Sequence, residues 1–296
     1  TSGGEISTPP RFMLSYFCLN HLLNAMTATT PPQINQKLNL QLWWFTALLI
    51  AVNVGLFAWQ ILSGVNITDP STKDAIAWGA DFSPLTFSGQ PERLFSSMFF
   101  HFGLIHLMLN MWALYIFGSV AEQLFGRGYY IGMYLLAGLM GNLLSSYLTI
   151  LNGHELLQQL ALGAEIQASL LPRISAGASG AVMGLGAALT LISLLPPMPQ
   201  QRFLLDKKTL VLIMAINLVF GFTVAGINNA AHIGGMLMGA ALAGAWYASQ
   251  KTAKTIAMQI AVLILCTILL LAFYAYCSAL STALQHLWYE ILLQYL

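Results

Sequence analysis

The sequence predicts an all-α polytopic membrane protein, a six-helix bundle followed by one additional C-terminal transmembrane helix. Three observations carry that class. Of 296 residues only 21 are charged (11 Lys+Arg, 10 Asp+Glu), 7% against about 25% in soluble domains. Hydrophobic residues make up 57% and the mean hydropathy is +0.72, so a water-exposed surface cannot be assembled from what remains, whereas lipid-facing helices need no polar coat. The charges also cluster between long apolar windows, as spanning helices require. A net charge of +1 supplies no basic face for nucleic acid. Cys18, Cys266 and Cys277 show neither metal-type spacing nor a disulfide framework.

Residues 1–42 form an N-terminal segment in which an apolar stretch, Phe12 to Met26, precedes a Thr/Pro-rich linker, Thr27 to Pro32. A signal-peptide pattern is missing from its start. Seven windows free of Lys, Arg, Asp and Glu follow: 43–63, 94–118, 129–150, 174–195, 209–226, 230–248 and 255–277. Each is roughly long enough to cross about 30 Å at about 1.5 Å per residue. The first six define a core over 43–248. A long loop, 64–93, joins the first two; it carries Pro70, Pro84 and Pro91, and its Trp78 and Phe residues suit the headgroup boundary. Only Ile227, Asn228 and Asn229 separate the fifth and sixth windows, which predicts a tight antiparallel hairpin. A linker and the seventh helix occupy 249–277. In the tail, 278–296, Leu284, Leu287, Trp288, Ile291, Leu292 and Tyr295 share one helical face, predicting an amphipathic helix at the interface.

Basic residues near the span ends set the orientation. With a cytoplasmic N-terminus, Arg11, Lys37, Arg127, Arg202, Lys207, Lys208, Lys251 and Lys254 lie inside and Lys73, Arg93 and Arg173 outside. Eight against three favours this topology, and it puts the C-terminus outside.

Polar groups within spans are the informative ones, because each must find a partner or a wet cavity. His106 and Asn110 are four apart and share a helix face, with His101 rotated away. The fourth span opens with Gly177-Ala178-Ser179-Gly180, and the sixth carries Ala231-His232-Ile233-Gly234-Gly235 and Gly239. A lone intramembrane serine ordinarily back-bonds to its own helix, and a lone histidine ordinarily packs as a hydrogen-bonded core group. Here Gly180 and Gly184 on one helix match Gly235 and Gly239 on the other in small-xxx-small stripes that permit close approach. Such an approach brings the imidazole to the hydroxyl, which needs an adjacent base to become a nucleophile. With the fourth helix starting near Ile174, Ser179 is expected about five residues in, or roughly 7–8 Å below that start. No span offers a carboxylate, so a dyad is expected instead of a Ser-His-Asp triad. His106, Asn110 and the Ser179 backbone N–H are candidate donors to an oxyanion. The nucleophile elbow G-x-S-x-G fails at Ala181, and H-E-x-x-H fails because neither His101 nor His106 precedes a Glu. Neither a cofactor nor a metal is expected.

At these residues the sequence resembles the rhomboid family of intramembrane serine proteases. The likeness runs over about 43–248 and includes Glu122 to Gly126 after the second window. It implies a rhomboid-like fold with Ser179 as nucleophile, His232 as general base and acid, and His106 and Asn110 as oxyanion donors. His101, Gly177, Gly180, Gly235 and Gly239 are then structural. The implied partner, besides the lipid bilayer, is a single transmembrane segment of a substrate protein, cut near the outer face. Two departures stand out: Glu92-Arg93 where many members have Trp-Arg, and Met183 where many have an aromatic four residues after the serine. The seventh helix resembles a subclass with a C-terminal addition. The expected location is a bacterial inner membrane, and the oligomeric state is not legible. The alternatives are a noncatalytic rhomboid-like protein that binds membrane helices or serves quality control, and a transporter, for which no inverted repeat is visible.

Overall fold

A computed structural model describes residues 42–197, 206–223 and 228–295. The expected N-terminal appendage, with Arg11, Cys18 and Lys37, the basic residue Arg202 and the Ile227 turn lie outside the described residues. Those described fold as an all-α polytopic bundle of long helices: α1 (Trp44–Leu62), α2 (Leu104–Phe125), α3 (Arg127–Ala161), α4 (Ser179–Leu194), α5 (Lys207–Thr223), α6 (Asn229–Ser249) and α7 (Thr255–Ser281), with a terminal α8 (Gln285–Tyr295).

The pattern of burial is the inverse of a soluble helix. On α1 the buried residues are Thr46, Asn53, Phe57 and Gln60, while Leu48, Val52, Val54 and Trp59 face outward; in lipid it is the polar groups that must turn inward. At the centre stands α4, where every residue from Gly180 to Leu189 is buried. It packs chiefly on α6 and α3, then α2 and α5. On the periphery, α7 buries only Leu270, Cys277 and Ser281. The free thiol Cys277 serves as core, and Cys266 is half-buried.

Four expectations are corrected. The second helix begins at Leu104 and not near 94, because residues 93–99 form short helical turns of their own. It also runs to Phe125, so Glu122 is a buried carboxylate inside a spanning helix. The charge is tolerated because it accepts from the Phe45 and Thr46 N–H groups (3.2 and 2.8 Å) and the Thr46 hydroxyl (2.9 Å), with Arg127 Nε 3.8 Å away; it caps the otherwise unpaired N-terminus of α1. The third helix continues well past 150 to Ala161, about 52 Å at helical rise; apolarity marks only the part in lipid, not the part beyond it. Finally, the tail face of Leu284, Trp288 and Ile291 is turned onto protein instead of lipid: Trp288 is 1% exposed and stacks on Phe87, with ring centres 6.4 Å apart.

The 64–93 connection is likewise a folded cap. It holds short helices at Thr72–Ala77 and Ser83–Thr86, the first closed by a capping box between Ser71 and Asp74. Phe82 and Phe87, expected at the headgroups, are buried in protein.

Candidate active site

Three helices start at the same cavity, and each delivers its polar residues within about its first two turns: His106 and Asn110 on α2, Ser179 on α4 and His232 on α6. Ser179 is the first residue of α4, not five residues in. Two constraints delay the helix. Ser175 and Asp81 exchange both backbone hydrogen bonds (2.9 and 2.8 Å), which keeps the incoming chain extended. Gly177 then turns with φ +119°, a conformation that strains L side chains, and a Cβ there would stand 2.8 Å from Cε1 of His106. The 16 residues of α4 rise about 24 Å, less than the roughly 30 Å of hydrocarbon. A helix this short leaves room for a cavity at its N-terminus, where unpaired N–H groups converge on the serine.

The glycine stripes meet as expected. A Cβ on Gly235 would lie 2.0 Å from the Gly180 carbonyl oxygen, one on Gly239 2.0 Å from that of Gly184, and one on Gly184 2.8 Å from that of Gly235. Backbone therefore packs on backbone between α4 and α6. The faces that carry Ser179 and His232 are thereby held against each other.

His106, Asn110, Ser179 and His232 line one cavity of about 770 Å3, together with Gly177, Met183 and Asn217 of α5. Nδ1 of His106 accepts the Phe102 N–H (3.2 Å), so in the neutral ring the proton sits on Nε2, the atom beside Gly177. Asn110 gives one amide hydrogen to the His106 carbonyl (2.9 Å) and keeps the other. His232 is 6% exposed, and its Nδ1 meets no hydrogen-bond partner among the described residues. The buried carboxylate Glu122 serves α1, not this imidazole. His101 is 1% exposed, does not line the cavity, and sets its ring edge-on behind His106 at 5.2 Å. Met183 lines the cavity wall where an aromatic ring is absent. Arg93, without a neighbouring Trp, braces the cap from within by donating to the carbonyls of Ile76 (2.8 Å) and Ala80 (2.9 Å).

Sequence reasoning missed Asn228. It is the N-cap of α6, accepting the Ala231 N–H (3.1 Å), while its amide donates to Ser145 Oγ (2.6 Å) and Ser175 Oγ (2.8 Å). An Asn just before an apolar periodic run is a helix-start signal, and this one also lies in the three-residue gap that predicts a hairpin turn.

Comparison with known proteins accords with this architecture. The family model described as Rhomboid domain matches residues 88–250. The chain is 32% identical to Rhomboid protease GluP of Bacillus subtilis (strain 168) over 196 residues, covering 66% of this chain and 33% of that protein. It is 28% identical to Rhomboid protease AarA of Providencia stuartii over 210 residues, covering 68% and 72%. With RHOMBOID-like protein 6, mitochondrial, of Arabidopsis thaliana the identity is 32% over 184 residues, covering 62% and 53%. The chain thus spans about a third of the first relative and about half of the third.

Proposed function

The chain belongs to the rhomboid family, and from that premise we propose that it is an intramembrane serine endopeptidase that cuts a transmembrane segment of a substrate protein. The observation that carries the reading is the convergence of Ser179, His232, His106 and Asn110 on one cavity at the N-termini of three helices.

In this reading Ser179 Oγ attacks the scissile carbonyl carbon while His232 takes the hydroxyl proton. The tetrahedral oxyanion accepts hydrogen bonds from His106 Nε2–H, the uncommitted Asn110 amide hydrogen and the Ser179 backbone N–H. Collapse expels the amine, which receives the proton from His232 and leaves an ester on Ser179. Water, deprotonated by the same imidazole, then releases the acid and restores the serine. An imidazole with no carboxylate partner suits a dyad. A helical substrate hides its carbonyls in i to i−4 bonds, so segments weakened by Gly or Pro near the cut are preferred.

The same proposal divides the chain into a catalytic core at 43–248, a linker and seventh helix at 249–277 and a tail at 278–296, after a cytoplasmic segment at 1–42. The eight-to-three bias of basic residues supports a site toward the outer face, and the location in this reading is a bacterial inner membrane. The cap over 64–93 and α5 are the candidate gates.

The test uses purified full-length chain in detergent with a protein bearing one transmembrane segment. Wild type is expected to cleave it, and Ser179→Ala and His232→Ala are expected not to. A fluorophosphonate should label Ser179. Equal cleavage by Ser179→Ala overturns the mechanism, and wild-type binding without cleavage replaces it with the noncatalytic reading.

A further inference from the structure

Asp81 is a carboxylic acid held at 2% exposure within a cradle of hydroxyl groups. Its Oδ1 accepts from Thr86 Oγ1 (2.5 Å) and its Oδ2 from Ser146 Oγ (2.8 Å), and Ser83 Oγ donates onward to Ser146 Oγ (3.1 Å). Its backbone pairs in both directions with Ser175, four residues before Ser179. Next to Ser146 on α3, Ser145 accepts from Asn228, which also reaches Ser175 Oγ and caps the helix of His232. Two adjacent serines of α3 therefore hold, on one side, the segment that enters Ser179 and, on the other, the cap that starts the His232 helix.

Building on the protease reading, we propose that Asp81 is a positioning residue for Ser179 and His232: anchored to Ser146 by its side chain and to Ser175 by its backbone, it sets the registration of the two segments that carry them. The route is physical and short. If the Asp81 side chain is removed, Ser146 loses its carboxylate acceptor, Thr86 keeps only the Phe82 carbonyl, and the 81–86 turn is tied to α3 through the single Ser83–Ser146 hydroxyl bond. The Asp81–Ser175 backbone pair then rests on a turn that can move, and Ser175 is the residue shared by Asp81 and Asn228.

The cradle accommodates either protonation state without moving heavy atoms. Thr86 Oγ1 lies 3.2 Å from the Phe82 carbonyl as well as 2.5 Å from Asp81, so a protonated or amidated side chain can donate to Thr86 while Thr86 donates to Phe82. Burial raises the Asp81 pKa from 3.8 to about 6, against the pull of the hydroxyl hydrogen bonds and of Arg93, the charged group acting on it across the cap. The Ser83, Thr86 and Ser146 side chains that surround it are neutral. Because the folded chain binds this proton more tightly than the unfolded chain, the contribution of Asp81 to stability falls as pH rises from 3.8 through about 6. That gives a signature which a merely space-filling residue lacks.

The experiment compares full-length wild type, Asp81→Ala, Asp81→Asn and Ser146→Ala in detergent. Amide hydrogen exchange at 175–180 and 228–234, turnover of a single-span substrate, and thermal unfolding at pH about 5 and about 7.5 are measured. Asp81→Ala is expected to speed exchange in both segments and to lower kcat about tenfold with KM within about twofold. Ser146→Ala should act in the same direction but more weakly. Asp81→Asn should restore both readouts and abolish the wild-type excess of stability at the lower pH. Unchanged exchange in folded Asp81→Ala and Ser146→Ala overturns the proposal, as does Asp81→Asn behaving like Asp81→Ala. The exchange measurement decides the matter even if Ser179→Ala proves active and the protease reading falls.

Discussion

The Cα of Gly235 faces the carbonyl oxygen of Gly180 so closely that a methyl group there would stand 2.0 Å from it. The clash is with backbone, which no rotamer change can relieve, so α4 and α6 must separate or shift by more than 1 Å. Gly235→Ala is expected to destabilise the chain by about 3 kcal/mol or more, at the upper end of overpacking costs, and to abolish cleavage. Thermal unfolding and single-span substrate turnover check this; a folded Gly235→Ala enzyme at wild-type rate would show that the helix contact does not position the pair.

Asn110 has one amide hydrogen in use on its own helix and one left for the cavity. Asn110→Ala is expected to lower kcat by about 10²–10³ with little change in KM, as loss of one oxyanion donor does. The same split is expected for His106→Ala. Steady-state kinetics on one substrate measure both, and a loss below about threefold would remove the residue from the oxyanion site.

Glu122 tests a different layer. It lies 12 residues beyond Asn110 on α2, about 18 Å along the helix axis, and its oxygens serve the first turn of α1. Glu122→Gln turns an amide N–H toward donors and is expected to cost about 1–3 kcal/mol of stability. The rate of Ser179 labelling by a fluorophosphonate should stay within about twofold of wild type if folded protein is compared. A large drop in labelling would couple the two layers.

Trp288 is fully buried on the cap side of the molecule, and Phe87 stacks with both Trp288 and Tyr274 (ring centres 6.4 and 5.5 Å). Ser88 donates to Gln285 Oε1 at 2.8 Å beside it. Trp288→Ala is expected to cost about 3–5 kcal/mol and to speed amide exchange in residues 83–90. Unchanged exchange there would mean that the tail does not hold the cap.

How much was legible follows from what each feature depends on. Ser179, His232 and the paired glycines could be read because they are polar or small residues where a spanning helix has neither by default, and their spacing is a property of one helix at a time. The start of α4 could not be read: the charge-free window runs on from Ile174, and the backbone pairing of Ser175 with Asp81, the Gly177 N–H bond to the Ser97 carbonyl and the φ of Gly177 keep the chain out of the helix until Ser179. Glu122 escaped because a charge normally ends a span, and here partners 76 and 77 positions away in the sequence make it tolerable. Asp81 escaped for the same reason, since its meaning lies in contacts with Ser146 and Ser175; Asn228 carried a local helix-start signal, and only its bonds to Ser145 and Ser175 depend on the fold.

The sequence by itself determined the class and put forward a chemistry: scarcity of charge forces the helices into lipid, and a serine and a histidine beside glycine stripes are the groups it offers as candidates for reaction. Tertiary structure alone decided where the helices begin, which carboxylates are buried, and that the tail covers the cap instead of lying on lipid. The physical reason is that hydropathy reports the surrounding solvent of each segment, whereas a hydrogen bond or a backbone contact depends on what a distant segment brings to meet it.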